Sequence, residues 1–276
     1  MILDTIARSA GKRVEQRKQV KSLEQMMKAA CECREREGIK REDIKGEDGT
    51  GGGYSFKAAL SKPGVSFICE VKKASPSKGL IAPDFPYVEI ARQYQEAGAD
   101  AVSVLTEPEF FLGADRYLEE IHREIELPLL RKDFIVDEYQ IYEAKVLGAS
   151  AVLLICSLMD MEKLKRYMGI CGSLGLSSLA EAHTDREVAM AAEAGADIIG
   201  INNRNLETFE VDFTNALRLR KLVDRGTIFV AESGIRTPED IELLAENQVD
   251  AVLVGETLMR APDKKRALRE LKSRIG

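Results

Sequence analysis

The sequence predicts an α/β protein of the (β/α)8 (TIM) barrel class with an N-terminal helical extension, on three observations. Beyond residue 64, eight short apolar runs alternate with helix-patterned segments, each run too continuous to have a solvated face. Four junctions repeat one pattern in which a helix gives way through a turn to a β-branched run: Ala97-Gly98-Ala99-Asp100-Ala101-Val102, Leu147-Gly148-Ala149-Ser150-Ala151-Val152, Ala194-Gly195-Ala196-Asp197-Ile198-Ile199 and Asn247-Gln248-Val249-Asp250-Ala251-Val252. The matching positions 98, 148, 195 and 248 are 50, 47 and 53 residues apart, the size of two βα units. No Gly-x-Gly-x-x-Gly turn follows the first run, as an open doubly wound sheet would more often show.

Taken in order, residues 1–60 form the extension and the 276 residues read as one domain. From Ile2 to about Glu37 the chain is charged and helix-favouring, and its apolar residues follow a loose stripe of one or two helices that pack on a larger body as a lid or a plug. Glu42 to Gly53 is charged and then glycine-rich, which predicts a loop. The strands follow as Val65–Val71, the run from Ala101, Leu129–Arg131, the run from Ala151, Leu176–Glu181, the run from Ile198, Thr227–Ala231 and the run from Ala251. At the four repeated turns, Gly98, Gly148, Gly195 and Gln248 end helices where a left-handed residue is usual.

Bulk properties exclude several function classes. With 40 Lys+Arg against 46 Asp+Glu the formal charge is -6, which disfavours nucleic acid as a partner. The start Met1-Ile2-Leu3-Asp4-Thr5-Ile6-Ala7-Arg8 has no long apolar core, and no later run approaches the roughly 20 apolar residues of a membrane helix. The expectation is a cytoplasmic protein without a membrane partner. Of five cysteines, Cys69 and Cys156 sit in apolar runs and read as buried reduced thiols. Cys31 and Cys33 have no second Cys or His pair near them, and His122 and His183 are the only histidines, so a metal site is not expected.

In a barrel of this class the active site gathers where the strands end. The first run ends Glu70-Val71-Lys72-Lys73, and alternation puts Glu70 and Lys72 on one face, where a carboxylate and an ammonium are costly unless paired or used. Later runs end Arg131-Lys132-Asp133, Glu181-Ala182-His183 and Asn202-Asn203-Arg204, which brings a second ammonium, a second carboxylate, an amide and a guanidinium to the same mouth. The last two runs end Glu232-Ser233-Gly234 and Gly255-Glu256, each leading into a helical start. Glycines there let phosphate oxygens approach backbone N–H groups, and Glu256 is expected to turn its side chain away and offer only its N–H.

The run Glu70-Val71-Lys72-Lys73-Ala74-Ser75-Pro76-Ser77 resembles the signature of the indole-3-glycerol-phosphate synthase family. The resemblance continues through Leu105-Thr106-Glu107, Phe110-Phe111-Leu112-Gly113, Leu130-Arg131-Lys132-Asp133-Phe134, Gly200-Ile201-Asn202-Asn203-Arg204-Asn205-Leu206, Ala231-Glu232-Ser233-Gly234-Ile235 and Val254-Gly255-Glu256, and the opening Ile2-Leu3-Asp4-Thr5-Ile6 is similar to the family's helical extension. It implies a carboxy-lyase of tryptophan biosynthesis that converts 1-(2-carboxyphenylamino)-1-deoxyribulose 5-phosphate to indole-3-glycerol phosphate with loss of carbon dioxide and water, without metal or organic cofactor. Contact with other tryptophan-pathway enzymes is an open partner expectation.

Carried over by position, the resemblance makes Lys132 the general acid for the substrate carbonyl. Lys72 holds the carboxylate and assists proton transfer near the phosphate, and Glu70 orients Lys72 or acts as a base in dehydration. Glu181 stabilises the cationic intermediate or shares the acid/base work, Asn202 and Arg204 orient substrate and side chains, and Ser75 lines the pocket. Lys72, Ser233, Gly234, Gly255 and Glu256 form the phosphate site. Phe110, Phe134, Leu153 and Ile155 are expected to hold the anthranilate ring. A lysine flanked by other cations has a lowered pKa, and Lys132 is expected to be such an acid.

Two features depart from the family pattern, alanine beside Glu181 where valine is more common and Asn205 in place of a common aspartate; neither removes a group assigned to chemistry. Two other readings remain. An isomerase of phosphoribosylanthranilate type would more usually carry a cysteine or aspartate on the first strand and an aspartate on the sixth. A ligand-binding barrel without catalysis would need the phosphate seat but not both Lys132 and Glu181.

Overall fold

The computed structural model describes residues 2–43, 55–205 and 208–275. Eight parallel strands close into a barrel: β1 (Ser66–Val71), β2 (Ala101–Leu105), β3 (Leu129–Lys132), β4 (Ala151–Ile155), β5 (Ser177–Ala182), β6 (Ile198–Asn202), β7 (Ile228–Glu232) and β8 (Ala251–Val254). Each lies beside its successor in sequence, and β8 returns to β1 in the register Ser66↔Ala251 to Cys69↔Val254. All eight apolar runs are strands, displaced by at most a residue from the boundaries expected where these were set at both ends. At the repeated turns Gly98, Gly148 and Gly195 have φ of 83°, 88° and 84°, and Gln248 takes the same left-handed conformation at 60°. The pattern therefore marks a backbone shape, which glycine adopts freely and glutamine only at a cost of about 1 kcal/mol.

Alternation along each strand divides the core in two. Ile68, Leu130, Leu153, Leu179, Val230 and Leu253 point inward and pack the barrel lumen. Their neighbours Phe67, Cys69, Val102, Val104, Leu129 and Val152 point outward against the helices. Those helices include α4 (Tyr87–Glu96), α5 (Asp115–Glu124), α6 (Tyr139–Val146), α7 (Met161–Ser173), α8 (Asp185–Glu193), α9 (Thr214–Leu219) and α10 (Pro238–Glu246), with α11 (Glu256–Arg260) and α12 (Lys264–Leu271) after β8. Their starts are set by side chains that take up free backbone N–H groups: Asp160, Thr184 and Asp263 each cap one, and Thr237 forms a reciprocal capping box with Asp240.

The extension contains α1 (Ile2–Val20), α2 (Leu23–Asp43) and the short α3 (Phe56–Leu60). In α1 the buried residues Ile6, Ala10 and Val14 recur every four positions, a single apolar stripe. Ser22 and Gln25 cap α2 reciprocally. Because α2 runs on to Asp43, Glu42 is helical rather than part of the expected loop, whose remaining residues 44–53 lie outside the described residues. α3 closes the bottom of the barrel: its N-terminal Lys57 N–H donates to Ser177 Oγ at 3.3 Å, its Ala59 carbonyl accepts from Ser66 Oγ at 3.4 Å, and Phe56 and Leu60 enter the lumen cluster. α1 lies over the opposite end, so the extension is both a lid and, through α3, a plug.

Among the described residues no helix is long and apolar enough to cross a membrane. Cys69, Cys156 and Cys171 are buried and unpaired, and burial pushes the Cys156 and Cys171 thiols up to about 12.

Candidate active site

Alternation decides which charges reach the barrel mouth. Arg131 and Lys132 are neighbours on β3, so their side chains leave on opposite faces. Arg131 goes outward and is fully buried, donating to Thr106 Oγ1, the Gln140 carbonyl, Asp115, Asp133 and Glu143. Lys132 goes inward, and its Nζ lies 2.6 Å from Glu181 Oε2 and 3.0 Å from Glu232 Oε2, carboxylates from β5 and β7 across the lumen.

The expected electrostatics of Lys132 is reversed. Burial alone would lower its pKa, but Glu181, Glu232 and Glu70 outweigh burial and hold it above the usual lysine value. The cation next to it in sequence is turned away, and what surrounds the ammonium is acidic. Burial raises the Glu181 pKa, but Lys132 and then His183 more than offset it, so the carboxyl is held below its ordinary value. At Glu232, burial together with the Glu181 charge prevails over Lys132, and the carboxyl is pushed up to about 8. The cluster thus keeps one ammonium and one secure carboxylate beside a carboxyl that holds its proton easily.

A second pair stands at the end of β1, where Glu70 and Lys72, one residue past the strand, form the same-face ion pair expected. Gly255, just past β8, packs directly on it: a methyl carbon on Gly255 would overlap Glu70 Oε1 and lie 3.0 Å from Lys72 Nζ. Lys72 therefore stands next to the turn expected to seat phosphate.

The turns expected to seat phosphate follow β7 and β8. Ser233 has φ of 66° and Gly234 of 85°, two successive left-handed residues. Ser233 is held there by donating its hydroxyl to Asn202 Oδ1 at 2.8 Å and by accepting the Asn203 amide at its carbonyl, 3.1 Å. Asn202 Oδ1 also accepts the Arg204 backbone N–H at 3.0 Å, so one amide ties β6 to the turn after β7. Gly255 opens α11, which is only five residues long, so this turn offers an anion its N–H groups and nearby cations rather than a helix dipole. Glu256 turns to Arg260 at 3.0 Å, Lys78 at 3.6 Å and Arg204 at 4.0 Å. Despite the opposing effect of burial, Arg260 first and then Lys78 and Arg204 hold its carboxyl below the usual range.

All but one of the expected site residues line one cavity of about 420 Å³ at the C-terminal ends of the strands: Glu70, Lys72, Ser75, Lys132, Phe134, Leu153, Ile155, Glu181, Asn202, Arg204, Ser233, Gly234, Gly255 and Glu256. The exception is Phe110. It lies in a shallow depression with Thr5, Arg8 and Lys12 of α1, and its neighbour Phe111 takes the cavity position. The buried Glu107 accepts the N–H groups of Glu109, Phe110 and Phe111 and so winds this loop, from which Phe111 reaches the cavity and Phe110 does not. The Phe111 and Phe134 rings meet at 5.9 Å.

Three features of the site escaped sequence reasoning. Glu232 ends β7 two residues after the inward Val230, and that spacing alone would have flagged it. Ile2, Leu3 and Ile6 of α1 roof the cavity. The helix is strapped down by Arg13 to Glu107 at 3.1 Å, Arg17 to Asp115 at 2.6 Å and Glu143 at 2.5 Å, and Lys18 to Asp137 at 2.7 Å. Among the described residues no group of three or more His, Cys, Asp or Glu side chains is placed to hold a metal ion.

Comparison with known proteins adds a family. The chain matches the family model described as indole-3-glycerol phosphate synthase over residues 3–271. The indole-3-glycerol phosphate synthase of Endomicrobium trichonymphae is 51% identical over 272 residues, 99% of this chain and 100% of the relative. That of Lachnoclostridium phytofermentans is 50% identical over 273 residues, 99% of each. Among solved structures, 3-hexulose-6-phosphate synthase from Salmonella typhimurium superposes with a TM-score of 0.63 at 14% identity, over 76% of this chain and 98% of the other, a likeness of fold alone.

Proposed function

The chain belongs to the indole-3-glycerol phosphate synthase family, and from that premise we propose how its side chains divide the work. The reaction is the family's: 1-(2-carboxyphenylamino)-1-deoxyribulose 5-phosphate closes its second ring, loses carbon dioxide and water, and becomes indole-3-glycerol phosphate in tryptophan biosynthesis. Its substrate is a phosphorylated small molecule.

The observation that carries the division is Lys132, an ammonium held between Glu181 and Glu232 at the centre of the cavity. Two of its three N–H donors are engaged, which leaves one for substrate. When the ring carbon bearing the carboxylate attacks the ketone, the carbonyl oxygen gains negative charge, and Lys132 delivers a proton to it. The raised pKa suits this step, because the group stays charged until an alkoxide, a far stronger base, appears beside it. Glu181, the ionised carboxylate of the cluster, is then placed to stabilise the iminium-like cation whose formation draws out carbon dioxide, while Glu232 holds Lys132 in place. Dehydration expels the new hydroxyl as water, with its proton supplied from the Lys72 side, while Glu70, paired to Lys72, orients that ammonium or takes up the proton released on rearomatisation.

Phe134, Leu153 and Ile155, with Phe111 rather than Phe110, form the apolar end for the anthranilate ring, roofed by Ile2, Leu3 and Ile6. The phosphate end is the Ser233-Gly234 turn and Gly255, with Lys72 alongside and the Glu256 carboxylate drawn off by its three cations. Ser75 lines the wall between them, and Asn202 and Arg204 hold the turn. The same reading treats the chain as one domain with residues 1–60 as its extension. It puts the protein in the cytoplasm with no nucleic-acid partner at a charge of -6 and keeps contact with other tryptophan-pathway enzymes as an expectation. Purified protein given the carboxyphenylamino-deoxyribulose phosphate is expected to release carbon dioxide and form a fluorescent indole in equal amounts; tight binding without either product would favour a ligand-binding barrel instead.

A further inference from the structure

Gly200 sits mid-strand in β6, between Ile199 and Ile201, paired with Glu181 on one side and Val230 on the other. Its φ is not among the left-handed ones, so the backbone does not require glycine, and a glycine inside a strand weakens it. What requires glycine is space. A methyl carbon on Gly200 would overlap Glu232 Oε1 and press on Leu179 Cδ1 at 3.1 Å. That same Oε1 is fully buried and accepts no hydrogen bond from any described residue, while Oε2 of the same carboxyl takes Lys132 at 3.0 Å. One oxygen is thus held by Lys132, and the other, with no N–H donor of its own, fills the notch at Gly200.

We propose that Gly200 is a positioning residue for the reaction: the notch left by its absent side chain fixes the plane of the Glu232 carboxyl, and through it the direction of the free Lys132 N–H. The inference rests on the reading of Lys132 as the acid. Gly200 is pinned in two strand ladders, whereas Glu232 Oε1 ends a rotatable side chain, so the softest response to an added methyl group is for the carboxyl to turn away from Lys132. Binding groups at either end of the cavity are untouched by that rotation.

The test is a double-mutant cycle of Gly200→Ala with Glu232→Asp, whose shorter side chain withdraws the carboxyl from the notch. Gly200→Ala alone is expected to lower kcat about 10–100-fold with KM within about threefold, and in the Glu232→Asp background to cost less than about threefold. Gly169→Ala, on an open face of α7, is the control and keeps wild-type turnover. If Gly200→Ala fails to fold, the double variant should restore folding. An equal loss in both backgrounds, wild-type kcat in Gly200→Ala, or no rescue of folding would overturn the proposal. Near-wild-type turnover in Lys132→Ala would remove the reading beneath it; loss in Lys132→Ala without loss in Gly200→Ala would remove the notch alone.

Discussion

Arg17 of α1 and Arg131 of β3 grip the same two carboxylates: Asp115 lies 2.6 Å from one guanidinium and 2.9 Å from the other, and Glu143 lies 2.5 Å and 2.8 Å away. The roof of the site is therefore fastened to the residue next to the proposed acid. The two arginines differ in burial, fully enclosed for Arg131 and about a third exposed for Arg17. Removing Arg131 takes the cation from the buried Asp133 and leaves Asp115 and Glu143 to the half-screened Arg17, so Arg131→Met is expected to cost about 3–5 kcal/mol. Arg17→Met, partly screened by solvent, is expected to cost about 1 kcal/mol. Urea unfolding of both variants checks the order, and an equal or reversed order would place the burden of the network on the helix.

Glu232 links the site to pH. In the folded protein its carboxyl titrates at about 8 against an ordinary 4.5. Between those values the native state holds a proton that the unfolded chain has released. The contribution of this group to stability therefore falls as pH rises through that window. Wild-type protein is expected to lose stability relative to Glu232→Gln between about pH 5 and about pH 9, followed by denaturant unfolding at each pH. Parallel curves would mean that Glu232 is ionised throughout.

Phe110 and Phe111 offer a test of where the aromatic ring sits. Phe111 lines the cavity and Phe110 does not. Phe111→Ala is expected to raise KM by about tenfold, in line with the loss of one buried aromatic contact, and Phe110→Ala by less than about twofold. Steady-state kinetics with the carboxyphenylamino-deoxyribulose phosphate decides between them; the opposite pattern would move the ring toward α1.

The barrel was legible because its signals are local. Continuous apolar runs and left-handed turns repeat at near-constant spacing, and even Gln248 betrayed its turn by position. The mouth was legible at Glu70, Lys72, Lys132, Glu181 and Asn202 because polar residues end strands that are otherwise apolar. What sequence reasoning missed depended on contacts distant in the chain. Lys132 reads as one cation among several until alternation sends Arg131 outward and brings in carboxylates 49 and 100 residues away. A five-residue helix such as α3 is too short to show a period. The choice between Phe110 and Phe111 rests on a loop wound around the buried Glu107, which neither propensity nor pattern encodes.

The central claim is that Lys132 delivers the proton that lets the ring close. The most direct measurement compares wild type with Lys132→Ala in a single assay of indole fluorescence and carbon dioxide release, alongside binding of a reduced, unreactive substrate analogue. The prediction is a fall in turnover of at least about 10²–10⁴-fold with analogue affinity within about fivefold. Turnover within about tenfold of wild type, with both products still formed, would contradict it.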